Sequence, residues 1–256
     1  MPIISTSRGP LWTAIHTDDT TDANPLVLIH GAGGSHLDWP KSLRNFPQRT
    51  VYALDLSGHM KSPGDGHQSV ADYALDIHAF LESLELDNPI LLGHSMGGAI
   101  VQYIGRYLPQ NIGGLILIAT GARLSVNPII LHGLLNNADV TIQQLANWMW
   151  AKSMPQTVKD SSVQQMLQIP ASIIHGDYSA CDQFDFEPEL AAINLPTLVI
   201  AGSADRMTPP QLGETLANTI PHARLELIPD GGHFLTLEQP ERVTQIILNW
   251  LNQHQL

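Results

Sequence analysis

Apolar runs of strand length recur along the chain at Leu26–Ile29, Val51–Leu54, Ile90–Leu92, Leu115–Ile118 and Leu198–Ile200, each bounded by Gly, Pro or Asp. They are continuously apolar instead of alternating, which marks strands covered on both faces and hence a mostly parallel sheet between helix layers. Between them lie helical spacings. Tyr73, Ile77, Phe80, Leu81 and Leu84 share one face of a helix spanning Ser69 to Leu84, and Pro240 opens a last helix that carries Val243, Ile246, Ile247, Trp250 and Leu251 on one side. Strand, helix and strand in this order imply right-handed crossovers. The stretch from Ile3 to Ile15, with a turn near Arg8-Gly9-Pro10, predicts an antiparallel hairpin at the sheet edge. From Arg123 to Phe186 the strand rhythm stops and the sequence becomes helical, rich in Gln, Asn, Met and Trp. The pattern as a whole predicts an α/β class: a mostly parallel central sheet with helices on both faces, formed by residues 1–122 and 187–256, and a helical cap inserted at residues 123–186.

The composition fits a folded domain, with 43% hydrophobic and 14% charged residues in 256. Twelve Lys and Arg against 24 Asp and Glu give a formal charge of -12, which repels nucleic acid and anionic lipid. Cys181 is the only cysteine, so no disulfide can form within the chain. The amino terminus lacks a basic stretch followed by an apolar one, and no apolar run approaches the roughly 18 residues needed to cross a bilayer. A soluble, cytoplasmic protein without a membrane anchor is expected. The histidines show no paired spacing for a metal, and neither a metal nor an organic cofactor is expected.

Candidate chemistry begins at Gly93-His94-Ser95-Met96-Gly97, which follows the Ile90–Leu92 strand and precedes a helical stretch from Gly98 through Ile104 to Tyr107. This is G-x-S-x-G between a strand and a helix, where a sharp turn exposes a serine and a Cβ at either glycine would collide with neighbouring backbone. On these residues the chain resembles the α/β-hydrolase fold superfamily, most of all small carboxylesterases and monoacylglycerol-lipase-like serine hydrolases. The likeness covers nearly every segment outside the insertion.

The resemblance implies Ser95 as nucleophile, with a histidine to take its proton and an acid to orient that histidine, in the chain order serine, acid, histidine. His233, in Pro229-Asp230-Gly231-Gly232-His233-Phe234 before the last helix, resembles the superfamily's histidine loop. Asp205, directly after the Leu198–Ile200 strand, stands where the family's acid stands; Asp177, Asp182 and Asp230 are alternatives. His30 and His94 are implied to be structural hydrogen-bonding groups. An oxyanion hole requires two backbone donors. Met96, the residue after the nucleophile, supplies one, and the His30-Gly31-Ala32-Gly33-Gly34-Ser35 loop implies Ala32 as the other, with Gly33 as the neighbouring possibility.

One departure stands in Asp55-Leu56-Ser57-Gly58-His59-Met60-Lys61-Ser62, where relatives usually carry glycine at the position of Met60. A methionine there would either narrow the site entrance or fill packing space. In the insertion, Ile142, Leu145, Ala146 and Met149 form a stripe typical of core. Trp148, Leu131, Leu135, Met154 and Met166 are candidates for lining an apolar pocket.

The expected function is a carboxylesterase-type serine hydrolase acting on small-molecule esters, short to medium acyl esters or monoacylglycerols, with an apolar acyl or alcohol part. The same triad on the same fold would also serve an amidase, a carbon–carbon bond hydrolase, an acyltransferase or a perhydrolase. A non-catalytic ligand receptor on the hydrolase fold is the reading from another class.

Overall fold

The computed structural model describes residues 2–17 and 23–256. Among these residues eight strands form one sheet: β1 (Ile3–Thr6), β2 (Gly9–His16), β3 (Leu26–Ile29), β4 (Val51–Leu54), β5 (Ile90–His94), β6 (Gly114–Ile118), β7 (Thr197–Gly202) and β8 (Ala223–Ile228). The spatial order is β1-β2-β4-β3-β5-β6-β7-β8. β1 and β2 pair antiparallel, β2 pairs antiparallel with β4, and every later pairing is parallel. The hairpin expected at the amino end is therefore present at the sheet edge. Its turn lies at Ser7-Arg8, with Gly9 and Pro10 already in β2.

The helices are α1 (Lys41–Arg44), α2 (Val70–Ser83), α3 (Met96–Tyr107), α4 (Pro128–Asn136), α5 (Ala138–Met149), α6 (Gln156–Met166), α7 (Ala171–Asp182), α8 (Pro210–Thr219), α9 (Leu235–Glu238) and α10 (Pro240–His254). Alternation along the buried strands assigns each side chain to a layer. Val27, Ile29, Leu91, Leu115 and Leu117 join α2, α3 and α8 on one face, and Leu26, Leu28, Ile90, Leu92, Ile116 and Ile118 join α1, α9 and α10 on the other. Each fully buried aliphatic side chain contributes roughly 1.5–3 kcal/mol, so the two-faced burial of β3, β5 and β6 is a main source of stability. Local signals set the helix ends: the Ser69 hydroxyl accepts the Asp72 N–H at 3.1 Å and caps α2, and Pro240 occupies the first turn of α10.

Helices α4 to α7 occupy the excursion between β6 and β7. An isolated antiparallel bridge joins Arg123 to Asp185 where the chain leaves and returns. The excursion has its own apolar cluster around Ile142, Leu145, Met149, Met166 and Ile174, joined by Phe234 from the loop before α9. Ile142, Leu145, Ala146 and Met149 are all buried, as their spacing predicts. Among the described residues no helix is long and apolar enough to cross a membrane.

Candidate active site

Ser95 stands between β5 and α3 at φ 54° and ψ -118°, a left-handed conformation that costs a non-glycine residue about 1–3 kcal/mol. Neighbouring hydrogen bonds hold it there. The Ser95 N–H donates to the Ile118 carbonyl at 3.0 Å, and the Thr120 hydroxyl donates to the Ser95 carbonyl at 2.7 Å. The flanking glycines allow the turn to close: a Cβ on Gly93 would lie 2.2 Å from the Gly97 carbonyl oxygen, and one on Gly97 2.1 Å from that of Ile29. The collision expected from the motif is thus real, and it is α3 packed against β3 and β5 that makes it so.

His233 and Asp205 meet beside the serine turn. The His233 Nδ1–H donates to Asp205 Oδ2 at 2.9 Å, with both side chains buried. In the neutral ring this bond selects the tautomer whose Nε2 carries the lone pair and can accept a proton. The Asp205 carboxylate also accepts the Met207 N–H at 2.8 Å, the Thr208 N–H at 2.9 Å and the Thr208 hydroxyl at 2.7 Å. Burial works to raise the Asp205 pKa, but the His233 partner and the Thr208 bonds outweigh it and hold the carboxyl below its ordinary range. Of the alternative acids, Asp182 accepts the Val126 N–H at 2.9 Å, and the Asp230 N–H donates to the Ser203 hydroxyl at 2.9 Å. Asp177 belongs to a separate buried cluster.

His30 and His94 are neutral scaffolding. His94 Nε2–H donates to the His233 carbonyl at 2.9 Å, and burial first, then the nearby His233, push its pKa down to about 3. His30 accepts the Leu56 N–H on Nε2 at 3.0 Å and donates from Nδ1 to the Gly31 carbonyl at 2.8 Å. Burial and His59 lower it to about 4.

The His30–Ser35 loop runs past the serine, and a Cβ on Gly31 would lie 3.0 Å from the Ser95 Cβ. Gly33 donates its N–H to Asp177 Oδ2 at 2.8 Å, so that donor is already engaged. No acceptor among the described residues takes the Ala32 or Met96 N–H. The first N–H groups of a helix lack partners within it, so Met96 at the start of α3 offers a free donor beside Ser95.

Ser95, His233, Gly31 and Ala32 line a cavity of about 300 Å³. Its apolar wall comes from Leu124, Val126, Met149, Tyr178, Leu212 and Phe234. Of the residues expected to line a pocket, Leu135 and Trp148 are exposed, Leu131 and Met154 pack on the excursion's core, and Met166 lines a smaller cavity beside the Gly33 loop. The main cavity's wall combines the neck of the excursion, α7, α8 and the loop before α9 with Met149, the one member of the periodic α5 stripe that reaches it. Met60 adopts φ 43°, a left-handed backbone that glycine enters more readily, and its side chain packs against the excursion's cluster. It also lines a small cavity that shares Ala32, Asp38, Met149 and Phe234 with the larger one.

Sequence reasoning also missed Asp38. Its carboxylate lies over Gly34, accepts the Ser35 N–H at 3.0 Å and lines the cavity, and burial pushes its pKa up to about 7. The S-x-x-D spacing from Ser35 to Asp38, here closing a capping box on a short helical turn, was the legible signal.

The family model for the alpha/beta hydrolase fold matches residues 24–240. The chain belongs to that family. Within it, a Pseudomonas savastanoi pv. phaseolicola protein with the provisional name carbamate hydrolase RutD is 30% identical, over 94% of this chain and 99% of its own. The 3-oxoadipate enol-lactonase 1 of Acinetobacter baylyi is 24% identical, over 99% of this chain and 98% of its own. Among solved structures, a thermophilic esterase from Thermogutta terrifontis superposes with a TM-score of 0.85 at 27% identity, covering 99% of this chain and 98% of that one. The α/β-hydrolase relatives support hydrolysis as the general activity.

Proposed function

We propose that this hydrolase cleaves carboxylic esters of short to medium acyl length through an acyl-enzyme on Ser95. The observation that carries the reading is the left-handed Ser95 and the buried His233–Asp205 pair opening on one cavity. In this reading Ser95 Oγ attacks the acyl carbon as His233 Nε2 takes its proton, and the Asp205 carboxylate stabilises the resulting imidazolium. The Ala32 and Met96 N–H groups receive the oxyanion. Collapse of the tetrahedral intermediate breaks the acyl carbon–oxygen bond, and His233 returns the proton to the leaving alcohol. Water then repeats the sequence on the acyl-enzyme, releasing the acid and restoring the serine. The excursion acts as a cap that walls the cavity from bulk water.

A volume of about 300 Å³ sits at the small end of ligand sites, which favours compact esters over long monoacylglycerols. The test is hydrolysis of p-nitrophenyl esters of graded acyl length. Turnover is expected to be highest for short acyl groups and to fall steeply toward long ones, and Ser95→Ala and His233→Ala should each lose about 10⁴-fold or more in kcat. A profile rising toward long chains contradicts the compact-ester reading.

The relative named for carbamate hydrolysis favours a second reading in which the scissile bond joins the acyl carbon to nitrogen. A panel of matched esters and carbamates decides between them by kcat/KM.

A further inference from the structure

Asp177, on α7 of the excursion, is fully buried, and its carboxylate collects hydrogen bonds from parts of the fold far apart in sequence. Oδ2 accepts the Gly33 N–H at 2.8 Å and faces His59 Nε2 at 2.8 Å, while Oδ1 accepts the Tyr73 hydroxyl at 2.6 Å. Gly33 belongs to the loop that carries Ala32, His59 to the turn after β4, and Tyr73 to α2. The His59 ring is itself fully buried, with its other nitrogen on the Ser57 carbonyl at 3.0 Å. Burial alone would drive the ring neutral; the charge and hydrogen bond of Asp177 outweigh this and raise its pKa.

Taking a carboxylate and an imidazole out of water is unfavourable, and a buried pair of this kind often stabilises a fold no better than apolar packing would. What the cluster does supply is direction. Gly33 sits at φ 61°, a conformation in which glycine leaves the backbone loosely determined. The bond from its N–H to Asp177 fixes the peptide between Ala32 and Gly33, and with it the orientation of the Ala32 residue. Engaging the Gly33 N–H also removes the competing donor from the loop.

We infer that Asp177, held by His59 and Tyr73, is a positioning residue for the oxyanion hole, so that the loop is set for reaction by a carboxylate belonging to the cap. The inference rests on the serine hydrolase reading above for the identity of the oxyanion donors. In it, the cap is more than a wall: it completes the geometry of the loop opposite Ser95. Truncating Asp177 should therefore lower kcat while leaving KM nearly unchanged, because the contact is felt where oxyanion charge develops and not where the ground-state substrate is held.

The experiment compares the wild type with Asp177→Asn, Asp177→Ala and Ser162→Ala. Ser162 accepts the Trp150 indole N–H at 2.9 Å inside the cap and hydrogen-bonds neither the loop nor Ser95, although it lines a small cavity beside the loop, so its removal reports the loss of a cap contact that does not hold Gly33. For ester turnover, Asp177→Ala is expected to lose about 10- to 100-fold in kcat, less than the roughly 100- to 1,000-fold lost when an oxyanion donor is removed outright. Asp177→Asn, which keeps one acceptor oxygen, should recover part of that loss, and Ser162→Ala should retain wild-type kcat. Hydrogen–deuterium exchange over residues 28–37 supplies a readout independent of activity: the Gly33 amide should exchange faster in both Asp177 variants and not in Ser162→Ala. Should Asp177→Ala fail to fold, the asparagine variant carries both measurements. Unchanged kcat and unchanged Gly33 exchange in the Asp177 variants, or a kcat loss in Ser162→Ala equal to theirs, would overturn the inference. A wild type inert toward every ester and toward fluorophosphonate instead contradicts the serine hydrolase reading, and the exchange at Gly33 still decides the positioning of the loop.

Discussion

At the residue scale the Asp205 carboxylate is served by more donors than orientation of His233 alone requires. The Thr208 hydroxyl lies 2.7 Å from Asp205 Oδ2 and 3.2 Å from His233 Nδ1, so it steadies the carboxylate at the point where it meets the ring. Thr208→Val should lower kcat by about tenfold and cost about 1 kcal/mol of stability, the usual worth of a buried hydrogen bond; steady-state kinetics and denaturant unfolding check the two separately. Asp38 gives a pH-dependent expectation of opposite character. Its folded pKa is raised to about 7 from an ordinary value near 3.8, so the protonated form is favoured by folding. That contribution is complete below about pH 4 and is lost as pH rises through 7. Because the side chain is only half-buried and opens on the cavity, solvent reduces the effect to about 1–2 kcal/mol. Asp38→Asn should therefore raise Tm relative to wild type at pH 8 and have little effect at pH 4. A variant equally stable relative to wild type at both pH values would contradict that assignment.

At the scale of elements, the buried strands were legible because parallel strands sandwiched by helices have nowhere to place a polar side chain. Leu26–Ile29 and Leu115–Ile118 appear as strands at those residues, and Ser69–Leu84 as α2 with its ends shifted by one residue. Ser95, His233 and Asp205 were legible for a related reason: each sits at the end of a strand, or in the loop after one, in a local motif. The Asp177 cluster left no such trace. Its partners lie 144, 118 and 104 residues away, and neither helical nor strand periodicity reports a contact at that separation. The cavity wall was obscured for another reason. Leu124 and Val126 precede α4, and Tyr178 shares α7 with side chains that only pack, so an apolar side chain's neighbours decide its role and its sequence does not. The elbow gives an element-scale expectation: Gly97→Ala places a Cβ 2.1 Å from the Ile29 carbonyl oxygen, so α3 must move away from β3. A destabilisation of about 3 kcal/mol or more is expected in denaturant unfolding, at the upper end of single-substitution effects.

At the scale of the whole molecule, the excursion is fastened to the loops that carry Ala32, His233 and Asp205. Asp177 holds the Gly33 loop, and the Met149 carbonyl at the end of α5 accepts the His233 and Phe234 N–H groups at 2.9 and 3.2 Å. Glu238 bridges Ala151 and Gly232, accepting their N–H groups at 2.8 and 2.5 Å, and the Arg206 guanidinium donates to the Asn147 carbonyl at 2.6 Å. These ties make the excursion a seated part of the site instead of a freely swinging lid. Cys181 on α7 shares the cavity with Ser95, but burial pushes its thiol pKa far up, which leaves it little thiolate for attack. The cavity thus holds a thiol as well as the Ser95 hydroxyl, and the proposed chemistry falls to Ser95.

The most direct test traps that assignment. Wild type and Ser95→Ala are mixed with excess p-nitrophenyl acetate, quenched in acid within the first turnovers, and analysed by intact mass and peptide mapping. A single acetyl adduct is expected on the peptide carrying Ser95 in the wild type, with a burst of phenolate matching it, and neither in Ser95→Ala. An adduct on Cys181, or phenolate released by Ser95→Ala at the wild-type rate, would contradict the assignment to Ser95.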